Sequence, residues 1–106
     1  MDCEEILTKN NVKTESEEKI IQLEKHKARK IRNSQWWKNR RANNICFYCE
    51  ECFPARLLTM DHVVPLSKGG LSVKSNLVPS CKSCNSKKKN FMPTEWLEFL
   101  DKIRRK

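Results

Sequence analysis

With 38% hydrophobic and 33% charged side chains, a chain of 106 residues has material for one domain with a thin core, which a metal staple would help to hold. No run approaches the ~20 apolar residues of a membrane span, and the acidic first 24 residues lack the apolar stretch of a secretory leader, so a cytoplasmic protein with reduced thiols is expected. The 22 Lys and Arg against 13 Asp and Glu give a net charge of +9, which points to a polyanionic partner; with no apolar span, no membrane partner is expected.

That charge is unevenly spread. Residues 1–24 carry −4, residues 25–45 carry +8 with no acid, residues 46–80 are neutral, and residues 81–106 carry +5. Two basic blocks thus flank a neutral middle, an arrangement suited to a polyanion lying across a central site.

Residues 1–14 show no periodicity and are expected to be mobile. Residues 15–33 are expected to form a helix, with Glu15, Glu17 and Glu18 early and Lys27, Arg29, Lys30 and Arg32 late, matching the helix dipole. Its apolar stripe is narrow: Ile20, Leu23 and Ile31. Residues 1–33 therefore read as an extension to the globular unit, 34–106. Ser34 is a candidate N-cap for a second helix to about Asn43. Trp36 and Trp37 would pack that helix on the core, and Arg40 and Arg41 would face out to grip nucleic acid. Residues 56–64 read as a strand ended by Pro65. Residues 66–75 hold both glycines and read as a loop, Leu77 and Val78 as a brief second strand, and Ser80 to about Lys89 as a short helix. Pro93 opens a last helix with Trp96, Leu97, Leu100 and Ile103 on its apolar face. His26, in a charged helix, has no assigned role.

The strongest signal is a pair of Cys-x-x-Cys turns, Cys46/Cys49 and Cys81/Cys84. Four thiolates close a tetrahedral zinc site, and a two-residue gap lets two sulfurs reach one ion from a tight turn. A structural Zn²⁺ is expected there. Cys52 continues the spacing, so Cys49/Cys52 is an alternative pair. Cys46/Cys49 is preferred because Phe47 and Tyr48 between them can pack on a core, whereas Glu50 and Glu51 cannot. Cys52 and Cys3 then read as incidental thiols.

Between the cysteine pairs stands D-H-V-V-P-L-S-K-G-G, then S-N-L, then C-K-S-C-N-S-K-K. This order resembles the HNH endonuclease family in its cysteine-bearing class, over roughly Trp36 to Asn90 with a motif core at 46–90. The first signature His corresponds to His62 and the central Asn to Asn76. The last position, His in many members, is Asn85 here, as in the HNH domain of CRISPR effector nucleases. The resemblance implies a small α+β fold with a ββα-metal (His-Me finger) core, flanked by N- and C-terminal helices. It also implies metal-dependent phosphodiester cleavage, with Asn76 tying down the 66–75 loop beside His62.

The chemistry of the residues agrees. His62 suits activation of water near neutral pH. Asp61 and Asn85 supply oxygens for a divalent cation such as Mg²⁺, Mn²⁺ or Ni²⁺, with waters completing its shell. Lys87, Lys88 and Lys89, with Lys68 from the glycine loop, would line a phosphate track. DNA is the expected partner, with RNA as a second substrate class and a zinc-containing binding module without catalysis as the rival function. One geometric difficulty stands. Neighbours on a regular strand point to opposite faces, so Asp61 and His62 share a phosphate only if the strand is irregular or the phosphate sits at its edge.

Overall fold

The computed structural model describes residues 14–89 and 91–104. The mobile stretch expected over residues 1–14, with Cys3, lies outside them except for Thr14. Thr14 opens α1 (Glu15–Arg32) through a capping box: its hydroxyl accepts from the Glu17 amide (3.1 Å), and the Glu17 carboxylate accepts from the Thr14 amide (3.2 Å). The expected stripe on this helix is corrected. Ile20 and Leu23 are exposed, and the buried positions are Glu24 and Ala28, one turn apart. Ile31 of that stripe is half-buried, as is Ile21, so a small side chain and a hydrogen-bonded acid form the centre of the contact and isoleucines its margin.

Ser34 caps α2 (Gln35–Arg41), accepting from the Trp37 amide at 3.3 Å. Trp37 is buried, and Trp36 is half-buried with Lys74 Nζ 5.6 Å above its ring. A tight knuckle follows, closed by a bridge between Ile45 and Cys52. Within it Cys46 donates to Glu51 O (3.0 Å), Glu50 donates to Cys46 O (2.9 Å), and Glu50 takes a left-handed φ of 64°. The Phe47 amide donates to Pro79 O (2.8 Å), stitching the knuckle to the sheet.

That sheet has two antiparallel strands, β1 (Leu58–His62) and β2 (Leu77–Cys81), in unbroken register from Leu58↔Cys81 to His62↔Leu77. Both differ from expectation. The first starts later because residues 55–57 form a 3₁₀ turn, and it ends at His62. The second runs three residues further, through Pro79. A two-stranded ribbon has only edges, and an edge tolerates a residue without an N–H. All five β2 residues are buried, which holds a ribbon that would be marginal alone.

Cys81 ends β2 and caps α3 (Lys82–Lys88). The last helix, α4 (Pro93–Arg104), closes the core with Trp96 and Leu100, while Leu97 stays outside. Trp96 meets Tyr48 edge-on (5.2 Å) and stacks on Phe99 (5.6 Å). Arg104 ties the helix to the knuckle through Tyr48 O (2.8 Å), Phe47 O (2.5 Å) and the Glu50 carboxylate (3.0 Å). The fold is therefore small α+β. Leu58 and Leu100 contribute about 1.5–3 kcal/mol each by burial. Cys46, Cys81 and Cys84 fill the same cluster, so sulfur occupies space that a larger domain would fill with aliphatics.

Candidate metal centre and active site

The knuckle and the β2–α3 junction bring Cys46, Cys49, Cys81 and Cys84 together, with all four Sγ atoms within 4.8 Å of one another. Sulfurs around one tetrahedral zinc stand roughly 3.8 Å apart, given Zn–S bonds of about 2.3 Å. Cys49 and Cys81 sit at 4.0 Å, near that value and far beyond a disulfide bond. Backbone amides support the sulfurs: Cys81 N lies 3.4 Å from Cys46 Sγ, and Cys84 N lies 3.4 Å from Cys81 Sγ. Cys52 is exposed and outside the group.

Burial, then neighbouring thiols, raises Cys49 to about 11 and lifts Cys84 further. At Cys46 burial also pushes upward, but amide donors from Cys81, Cys49 and Tyr48 outweigh it and the net shift is downward. Four thiols in one pocket cannot all lose protons without a cation between them, and a divalent metal ion meets that need. The donor set fits zinc.

Asp61, His62 and Asn85 line a cleft of about 320 Å³, with Lys68, Lys88 and Lys89 on its walls. No bulge brings the acid and the imidazole to one face. The register of β1 is regular, and the two side chains diverge. Asp61 turns to the Tyr48 side, His62 to the Ser72 side, and the cleft lies across the end of the strand.

Asp61 Oδ2 accepts from Tyr48 Oη (2.5 Å) and pairs with Lys88 Nζ (3.0 Å). Burial, followed by the hydrogen bond to Asp61, drives the Tyr48 phenol far above its ordinary range, so it remains a donor at neutral pH. Both contacts fall on one carboxylate oxygen. Lys88 also donates to His62 O (2.7 Å). The three lysines expected on one track are therefore separated. Lys88 is a nearly buried ion-pair partner, Lys89 is exposed beside the cleft, and Lys87 lies over the Phe99 ring at 5.9 Å. Arg40 borders a different cavity, beside Cys46 and Phe47. Asn85 donates through Nδ2 to Thr59 Oγ1 (3.4 Å), which turns its amide oxygen to other partners.

The 63–76 loop is closed by Asn76. Its Oδ1 accepts from Val64 N (2.9 Å), and its Nδ2 donates to Val64 O (3.1 Å) and Leu71 O (2.9 Å). Gly70 packs against the same turn; a Cβ there would sit 1.8 Å from Val64 O.

Three further residues complete the site, and sequence reasoning missed them: Tyr48, Ser72 and Glu24. His62 Nε2 lies 2.9 Å from Ser72 Oγ. The Ser72 hydroxyl donates its only proton to Glu24 O (2.6 Å). It can therefore only accept from the imidazole, so His62 carries its proton on Nε2 and leaves the Nδ1 lone pair available. Glu24 Oε1 accepts from the Ser72 amide (2.6 Å), and Lys27 pairs with Oε2 (3.1 Å). The Ser72 amide, then Lys27, holds Glu24 below the usual carboxylate range. Burial, then the cations Lys88 and Arg32, lowers His62 despite the opposing charge of Asp61, keeping the ring neutral near pH 7. Ser72→Ala should release the tautomer. Imidazole nitrogen NMR shifts, reporting Nε2–H in the wild type, are expected to move toward a mixture; an unchanged spectrum would refute the assignment.

A family model described as HNH endonuclease matches residues 46–99. The chain is also 33% identical, over 91 residues and 77% of its length, to a Bacillus subtilis (strain 168) protein named "SPbeta prophage-derived putative HNH endonuclease YoqL". It spans 40% of that relative's length.

Proposed function

The chain belongs to the HNH endonuclease family, and on that premise we propose that it hydrolyses phosphodiester bonds in DNA with the help of a divalent cation. The observation that carries this reading is the single cleft that joins Asp61, His62 and Asn85 to three lysines. Asp61 and His62 come from the end of β1, Lys68 from the loop after it, and Asn85 and Lys88 from α3, an arrangement compatible with a ββα-metal core. Zinc in the four-cysteine site is the structural ion. Asp61 and Asn85 are the residues that would hold the catalytic cation, with room in the cleft for water. When bound, that cation supplies Lewis-acid stabilisation of charge on the phosphate.

His62 acts as general base. Its Nδ1 accepts the proton of the attacking water, and the Nε2–H bond to Ser72 keeps the ring oriented and in that tautomer. Asn76 acts indirectly, by closing the loop that follows His62. Lys68 and Lys89 bind phosphates on either side of the reacting one. Lys88 holds Asp61 in place and adds positive charge next to the phosphate.

The test is relaxation of supercoiled plasmid with Mg²⁺, Mn²⁺, Ni²⁺ or no added cation. Relaxation only with added cation is the expected result. Intact plasmid in every metal would leave a zinc-containing binding module as the better reading. The basic blocks at 25–45 and 81–106 make a second expectation. DNA affinity should fall roughly tenfold or more between about 50 and 200 mM salt. A flat salt response in a titration would exclude a phosphate track.

A further inference from the structure

A second cavity adjoins the cleft. It encloses about 140 Å³ between Val64, Pro65, Phe91, Pro93, Trp96 and Leu97. Pro65, Phe91, Lys68 and Lys88 border both spaces, so the two lie side by side. Its character differs from that of the cleft, because its walls are aromatic and aliphatic with lysines only where the two meet. An apolar cavity of about 150 Å³ holds one benzene ring; this one has the size of a single planar ring system.

Trp96 is 3% exposed, so its indole forms a fixed, flat part of the wall. We infer that this cavity is a nucleobase subsite, which takes one unpaired base of the strand whose phosphate lies in the cleft. The inference rests on the nuclease reading above and adds a substrate class to it. A base offers a flat ring to the Phe91 and Trp96 wall. Its own phosphate then lies toward Lys68 and Lys88. A base still paired in a duplex cannot enter without being turned out of the stack. The favoured substrate is thus a single strand, a frayed end or a distorted duplex.

The wall also reaches the reacting centre. Trp96 packs on Tyr48, whose hydroxyl holds Asp61. A base seated against Trp96 presses on the same side chain that positions the acid.

The experiment uses an end-labelled single strand carrying one abasic residue. Cleavage at one phosphate, at a fixed offset from the missing base, should fall roughly tenfold relative to the intact strand, the scale of one base's stacking. Other phosphates should be cut as before. Leu97 is 63% exposed, so Leu97→Trp can plug the cavity without disturbing the core. In that variant the offset effect should vanish. An even ladder with and without the abasic residue overturns the subsite and leaves the nuclease reading intact. If the protein cuts nothing, the nuclease reading fails and affinity decides the subsite. A short single strand should then bind roughly tenfold tighter than its base-free sugar-phosphate counterpart, and Leu97→Trp should erase the difference. Equal affinities overturn the subsite.

Discussion

Cys81→Ser is expected to abolish the cooperative thermal transition of the whole described domain. Serine is a clean probe at this position. Cys81 caps α3 by accepting from the Cys84 amide, and a serine oxygen caps at least as well. What serine removes is a thiolate ligand. Structural zinc sites supply about 10–16 kcal/mol of apparent binding free energy, as large as the ~5–15 kcal/mol net stability of a typical domain. Three of the four sulfurs also belong to the one hydrophobic cluster, so loss of the ion leaves crowded thiols at its centre. Chelation should have the same effect as the substitution, and Cys52→Ser should have none. Calorimetry or the near-ultraviolet signal of buried Trp37 and Trp96 would follow the loss. A Cys81→Ser protein that melts like the wild type would remove the structural ion from this account.

His62→Ala is the second large effect, and it should separate activity from folding. The imidazole lies at the end of β1, only half-buried, and touches Ser72 rather than the aromatic cluster. Its removal should leave the melting temperature within a few degrees and DNA affinity within a few-fold. Cleavage should drop about 10²–10⁴-fold, the usual contribution of a positioned general base. Plasmid nicking by wild type and variant, at matched zinc content and saturating Mg²⁺, provides the comparison. Equal rates would sink the assignment of His62.

Much of this architecture could be read directly from the residues, because ligand spacing is local. A Cys-x-x-Cys turn carries its geometry within four residues, and its partner announces itself the same way. The signature around Asp61, His62, Asn76 and Asn85 is likewise linear, and it named the residues that line or close the cleft. The missed residues are of another kind. Tyr48 sits inside a cysteine knuckle, where packing already explains it. Ser72 looks like any polar loop residue, and Glu24 like one more acid on a charged helix. Their meaning lies in contacts across 13 and 48 positions, and no periodicity encodes those. One signal was present: α1 has too thin an apolar stripe to dock by burial, which implies a polar anchor. The strand limits failed for a related reason. The second strand runs past its expected end at Val78 because Pro79, whose carbonyl takes the Phe47 amide rather than a β1 partner, needs no ladder N–H.

The attachment of α1 has a consequence for how many molecules are competent at any instant. The helix is held by Glu24 and Ala28 and lies outside the part of the chain that the sulfurs cross-link. Segments with so little burial open locally at a free energy well below global unfolding. Were α1 to lift, the ribbon and α3, joined through the four cysteines, would persist, but Ser72 would lose the carbonyl that takes its proton. The hydroxyl can then donate to the imidazole as readily as accept from it, and the ring is free to exchange tautomers. Such opening would divide the folded population into docked and undocked forms that share one core. On the proposed mechanism only the docked form would hold His62 ready, so the closing equilibrium of a peripheral helix would set an upper bound on the active fraction.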